Sequence, residues 1–290
     1  MEYSVEQWVE GASSDRVTFR QAVHTILLAI SGSDYLRPIM VMKGGMLLGI
    51  RYKSSRFTED IDFSTTVKLS DVDSEEFIDE LDDALVVAST ELPYRVKCKV
   101  QSLRVQPRNG AGEATFPSFN LKIGYASEGN IGAMRRLESG QSTNTIKIDY
   151  SFNEETYQLD EVCLEGEDSI NAYGLNDVVA EKYRSIIQQS YRNRNRRQDI
   201  YDLHYLLTTV SDISTEEKMN ILLTLLRKSE GRLPDGAVNS LSLDDSDTID
   251  RSRHEYHLLA EEIDGDLPDF DVIYSVVNDF YKSLPWECLK

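Results

Sequence analysis

The sequence predicts an α+β protein: a small mixed β-sheet core over residues 1–170, followed by a mainly helical C-terminal domain over 171–290. Three observations predict it. β-like runs gather at 94–105, 115–125 and 144–152, with Gly110 and Gly112 as turn formers between the first two. From about residue 174 apolar residues recur at helical spacing, over 176–191, 197–209, 215–228, 250–263 and 270–283. Nothing repeats at a fixed period, which excludes a repeat architecture.

The elements follow in order. Val17, Phe19, Val23, Ile26, Leu27 and Ile30 mark an N-terminal helix over 16–30. The apolar run Leu36–Met42, with Pro38 near its start, reads as a strand or its approach. Gly44-Gly45 then opens a short helix, and Ile61–Ser64 is the next strand. Residues 73–90 form an acidic amphipathic helix with Phe77, Leu81 and Leu85 on one face. The polar stretch 229–248 is a loop.

Composition excludes several classes. Lys+Arg 31 against Asp+Glu 50 leaves a net charge of −19, which opposes bulk attraction to nucleic acid or an anionic membrane. Arg184, Arg192, Arg194, Arg196 and Arg197 crowd into one short segment, so any contact with nucleic acid would be local. No run approaches the roughly 20 apolar residues needed to span a bilayer. The first residues lack the basic and apolar regions of a secretory signal. Cys98, Cys163 and Cys288 have no metal-ligand spacing, and an odd count of thiols fits a reducing compartment. A cytoplasmic protein without a membrane role is expected.

One segment carries chemistry. In Asp60-Ile61-Asp62 the period of two places both carboxylates on one strand face and Ile61 on the other. Upstream, Lys43-Gly44-Gly45 stands between an apolar run and a helix start, where backbone can approach a phosphate. Ser55, Arg56 and Thr58 add hydroxyls and a cation just before the acids. Together these suit magnesium held against a nucleoside triphosphate. Asp149, alternating with Ile148 and Tyr150, supplies the third carboxylate expected on a neighbouring strand. Lys182 falls on the apolar stripe of its helix with Val178 and Ile186, so it either reaches out to solvent or points into a cleft. Asp199 and Asp202 face inward by the same spacing, toward Leu203 and Leu206, and suggest an ion-paired network with Lys182.

These blocks resemble the AbiEii/AbiGii nucleotidyltransferase toxins over roughly residues 40–210. They are Lys43-Gly44-Gly45, Arg56 through Phe63, Lys147-Ile148-Asp149, Glu181-Lys182 and Asp199-Ile200-Tyr201-Asp202-Leu203. The chain departs from the family pattern at Met46, after the double glycine, and at Gln198, before the last block. The resemblance implies a polymerase-β-like fold and transfer of a nucleoside monophosphate from an NTP to an acceptor hydroxyl. It also implies a tRNA 3′ end as acceptor, two magnesium ions and a cognate antitoxin. In that scheme Asp60 and Asp62 hold both ions, while Asp149 ligates the catalytic ion and takes up the hydroxyl proton. Lys43, Gly44, Gly45, Ser55, Arg56 and Thr58 cradle the nucleotide. Lys182 neutralises the leaving pyrophosphate, and Asp199 orients Lys182 or the nucleotide. Two alternatives stay open: a nucleotidyltransferase acting on a protein hydroxyl, and a non-catalytic NTP-binding module.

Overall fold

A computed structural model describes residues 4–210 and 212–289. The chain divides into two units. The first runs to Arg51 and resumes over Glu59–Tyr173; the second joins Tyr52–Thr58 to everything from Gly174 onward. The expected first domain, 1–170, is thereby interrupted by a seven-residue strap that belongs to the helical unit.

The first unit contains α1 (Val5–Glu10), α2 (Val17–Gly32), β1 (Val41–Lys43), α3 (Gly44–Arg51), β2 (Asp60–Ser64) and α4 (Ser74–Glu91). It continues through β3 (Val96–Gln106), β4 (Ser118–Ser127), α5 (Ile131–Glu138), β5 (Thr145–Ser151), β6 (Leu159–Cys163) and β7 (Ser169–Tyr173). The seven strands form one mixed sheet in the order β3-β4-β5-β2-β1-β7-β6. β2 lies parallel to β5 and antiparallel to β1, while β4 runs antiparallel between β3 and β5.

Side-chain alternation explains why these strands pair. Ile61, Phe63, Phe119, Leu121, Ile123, Ile146, Ile148 and Tyr150 are all buried. α4 closes over this apolar layer because Asp73 caps its first turn, accepting from the N–H groups of Glu75 and Glu76, and Phe77, Leu81 and Leu85 line its inner face. Phe77 stacks on Tyr150 at 5.6 Å and meets Phe119 edge-on.

Some expectations need correction. Of the run Leu36–Met42 only the last two residues enter β1. Ser33 Oγ instead accepts from the N–H groups of Tyr35 and Leu36 and holds a turn there. α1, α5, β6 and β7 lie outside the sequence-based expectation. The two helices are short, and β6 is a sheet edge whose polar Asp160 and Glu161 dilute its apolar signal.

The second unit comprises α6 (Leu175–Ile187), α7 (Gln189–Arg192), α8 (Arg197–Thr209), α9 (Thr215–Ser229), α10 (Ser246–Arg253) and α11 (Phe270–Lys282), together with the strap. The helix expected over 176–191 breaks at Gln188, and Asn193 then turns left-handed. The helix expected over 250–263 stops at Arg253, because Glu255 adopts a left-handed φ of 56° before a 3₁₀ turn. Ile186, Leu203, Leu206, Leu222, Leu225, Ile273 and Val277 fill the core. Lys228 and Asp177 form a fully desolvated pair at 3.0 Å between α9 and α6.

Candidate active site

In the first unit, strand register assembles the acids. Asp62 pairs with Asp149 across the parallel β2–β5 ladder, and Asp60 pairs with Lys147 two residues back. Adjacent strands lie about 4.8 Å apart, so Asp62 and Asp149 stand side by side on the polar face. Asp60 Oδ1 is sealed from solvent with no hydrogen-bond partner, and it forms an ion pair with Lys147 Nζ at 3.5 Å. Asp149 retains solvent access, yet the protein packed around its carboxyl raises its pKa above the ordinary value, with Glu154 adding to the rise. Lys43 and hydrogen bonds from Ser118 and Asn120 pull in the opposite direction without overcoming it.

Gly44 sets the floor beside Asp62. It opens α3 with a φ of 77°, and a Cβ there would collide with the Asp62 carboxylate. Lys43, opposite Asp62 in the β1–β2 ladder, donates to Glu154 at 2.8 Å. Glu154 also accepts from the Tyr173 hydroxyl at 3.0 Å, and Tyr173 in turn accepts from Ser64. Lys43 is therefore anchored through a buried relay rather than loose in solvent. Gly45 is the second residue of α3, half-buried.

The acids line a cleft of about 320 Å³ whose walls also include Ser102, Arg104, Asn120, Lys122 and Lys147. Among the described residues no three His, Cys, Asp or Glu side chains close on a common metal position. The donor set still fits magnesium by its chemistry. Magnesium prefers hard oxygens, takes one or two protein carboxylates and completes its octahedron with water and substrate phosphate. Asp62 and Asp149 at one register level, with the orphaned Asp60 oxygen beside them, match that habit.

The remaining predicted residues belong to the second unit. Lys182, on α6, is buried and donates to Asp199 at 3.1 Å and to Asp202 at 2.7 Å, both on α8. The inward network read from helical spacing is present. It also takes in Arg56, whose Nε and Nη2 donate to the two oxygens of Asp202, each at 2.8 Å. Burial would raise the Asp202 pKa, but Lys182 and Arg56 outweigh it and hold the carboxyl at about 2. Burial likewise works against the Lys182 charge, and Asp202 and Asp199 more than restore it, so its pKa is raised. Asp199 keeps one buried oxygen, Oδ2, without a partner.

The strap is held by its neighbours along its length. Phe57 N–H donates to the Glu262 carbonyl at 2.6 Å, and Asp264 N–H to the Ser55 carbonyl at 3.2 Å. Ser55 Oγ hydrogen-bonds the Tyr201 hydroxyl at 3.0 Å. Thr58, half-buried, ends the strap. Ser55, Arg56 and Thr58 are thus grouped with Lys182 and Asp199 in the second unit, and Lys43, Gly44, Gly45, Asp60, Asp62 and Asp149 in the first. In the arginine run, Arg197 pairs with Glu255 and Glu262, while Arg192 and Arg194 are exposed.

Sequence reasoning missed Ser118 and Asn120, although the alternation Ser118-Phe119-Asn120-Leu121-Lys122 marks a polar strand face. It also missed Glu154, which no periodic signal identifies.

The chain aligns over 94% of its length and 93% of JHP933 from Helicobacter pylori, at 13% identity with a TM-score of 0.51. Another H. pylori crystal structure, which carries a nucleotidyltransferase designation, aligns over 96% and 99% of the two chains at 13% identity with a TM-score of 0.50. MenT4, a nucleotidyltransferase toxin of Mycobacterium tuberculosis, aligns over 97% of both chains at 13% identity with a TM-score of 0.44. The first two establish a shared fold. No curated protein matches the chain. The family model of the nucleotidyl transferase AbiEii toxin, from type IV toxin–antitoxin systems, matches residues 26–276. The chain therefore belongs to the AbiEii nucleotidyltransferase toxin family.

Proposed function

We propose that this chain transfers a nucleoside monophosphate from an NTP to the 3′-terminal hydroxyl of a tRNA, with magnesium, as the toxin held in check by a cognate antitoxin. The observation that carries this reading is the Asp62–Asp149 pair at one register level beside Asp60, with Gly44 opening the floor next to it. Asp60, Asp62 and Asp149 would hold magnesium, two ions in the expected scheme. The metal would supply charge neutralisation at the phosphates and acidify the attacking hydroxyl.

The residues of the chain account for the remainder. The acceptor oxygen bonds the α-phosphorus as the bond from that phosphorus to the bridging oxygen breaks, and pyrophosphate leaves with the electron pair. The hydroxyl proton passes to the Asp149 carboxylate, which stands beside Asp62 at one register level. The backbone at Gly44 and Gly45 admits the triphosphate, and Lys43 adds positive charge beside it. Lys182, Asp199, Arg56 and Thr58 enter the proposal through the blocks they share with the family, and Ser55 enters it as the hydroxyl next to Arg56. No helix among the described residues is long and apolar enough to cross a membrane. The cytoplasm, where tRNA and NTPs are found, is the proposed place of action.

The test is incubation with each labelled NTP and magnesium, offering total tRNA and total protein in separate pools. Label should enter the tRNA pool, and Asp62→Asn should abolish it while leaving the fold intact. Undiminished transfer by Asp62→Asn sinks the proposal. The net charge of −19 favours a basic protein as the alternative acceptor, and label in the protein pool alone would establish it.

A further inference from the structure

The polar face of the sheet is organised in rows. Lys43, Asp62, Asp149, Asn120 and Arg104 are successive register partners across β1, β2, β5, β4 and β3. Asp60, Lys147, Lys122 and Ser102 form the neighbouring row across β2, β5, β4 and β3. From β2 outward, the first row passes from the carboxylates Asp62 and Asp149 through Asn120 to Arg104 on β3, and the second from Asp60 to Lys147 on β5 and Lys122 on β4. Arg104 and Lys122 are exposed on the cleft wall. Among the described residues neither has a carboxylate partner, whereas Lys43 and Lys147 pair with Glu154 and Asp60. Two unneutralised cations in a chain of net charge −19 mark a place built for an anion.

The strand order says which anion. Gly44, the floor for the triphosphate, lies on the β1 side of the acids, and Arg104 and Lys122 lie on the β4–β3 side. In-line displacement puts the attacking oxygen and the leaving group on opposite sides of the phosphorus. With pyrophosphate leaving on the glycine side, the acceptor enters across β4 and β3. Strand spacing places Arg104 about 10 Å beyond Asp149. A polynucleotide carries a phosphate at every residue and can meet cations at that distance, whereas a protein hydroxyl brings no such charge. Resting on the nucleotidyl-transfer reading above, we infer that Arg104 and Lys122 hold the backbone phosphates of a single-stranded, 3′-terminal polynucleotide acceptor as its last hydroxyl reaches the acids.

The experiment compares wild type, R104A/K122A and the charge-keeping R104K/K122R. Three quantities are measured: the Kd for NTP alone, the acceptor KM in transfer to total tRNA, and the Kd for a 5′-fluorescein single-stranded RNA with a free 3′ hydroxyl across a salt series. R104A/K122A should raise the acceptor KM and the RNA Kd at least tenfold and leave the NTP Kd unchanged. Each lost single-strand phosphate contact flattens the log K against log salt slope by about 0.7, so the double variant should lose about 1.4. R104K/K122R should restore most of the affinity. Unchanged RNA binding by R104A/K122A overturns the inference. So does an equal loss of NTP affinity, which would assign the cations to the triphosphate, or label entering protein with the variant unimpaired. If wild type transfers no nucleotide, the transfer reading falls, and the RNA Kd and salt slope still decide the role of the two cations.

Discussion

Replacing Asp202 with Asn probes the buried network that holds the strap. Asp202 is fully buried and accepts three charge-assisted hydrogen bonds, two from Arg56 and one from Lys182, at 2.7–2.8 Å. Each such bond is worth about 1.5–3 kcal/mol, but three on one carboxylate do not add. Breaking one partner of a buried pair costs about 3–5 kcal/mol, because the cations left behind stay desolvated. Asp199, at 3.1 Å from Lys182, and Glu262, at 3.7 Å from Arg56, soften the loss. The expected cost is therefore near the lower end, about 3 kcal/mol. The assay is urea unfolding followed by circular dichroism, read as a lower midpoint at unchanged slope. The pH dependence supplies a second readout. The folded carboxyl, at about 2, lies below its ordinary 3.8, so its contribution is complete above 3.8 and is lost as pH falls through 2. That gap corresponds to about 2 kcal/mol, and the acid limb of Asp202→Asn should be shallower by this amount. A cost below about 1 kcal/mol, or an unchanged acid limb, would refute the reasoning.

Two further outcomes are expected. Gly44→Ala places a Cβ against the Asp62 carboxylate in a left-handed backbone, adding about 1–2 kcal/mol of strain. A carboxylate displaced by about 1 Å should lower kcat/KM for nucleotide transfer about 100-fold, and wild-type transfer from a folded variant would contradict this. His24 is fully buried, with Nδ1 2.9 Å from the Tyr94 hydroxyl and Nε2 unpartnered, and burial lowers its pKa from 6.5 to about 4. Stability should be complete above pH 6.5 and fall by about 3 kcal/mol as pH drops to 4. His24→Leu should lack that slope, and an identical pH profile for the two proteins would show that His24 is not buried neutral.

The acids were legible because one rule covers them. Alternation puts Asp60, Asp62 and Asp149 on polar strand faces, and parallel pairing of two half-buried strands then brings Asp62 beside Asp149. Helical spacing likewise turned Lys182, Asp199 and Asp202 inward. Their pairing with one another was legible too, but the partners Arg56 and Glu154 were not. Arg56 and Asp202 lie 146 residues apart, and Lys43 and Glu154 lie 111 apart, far beyond any local period. The flank Ser55-Arg56 reads in sequence as a phosphate contact, whereas the structure engages Arg56 with Asp202. Arg104 and Lys122 show alternation, but their place beside the acids depends on the strand order, which alternation does not encode.

The strap has a consequence for how the molecule comes into being. The chain enters the second unit at Tyr52, leaves it at Thr58 and returns at Gly174. On a ribosome, Arg56 emerges long before Asp202, and until then its guanidinium stays in water. With synthesis at about 5–20 residues per second, the 146 intervening residues take roughly 7–30 s. The sheet that carries the acids can be translated through β7 while the strap leading into its first acidic strand waits for the helices to arrive.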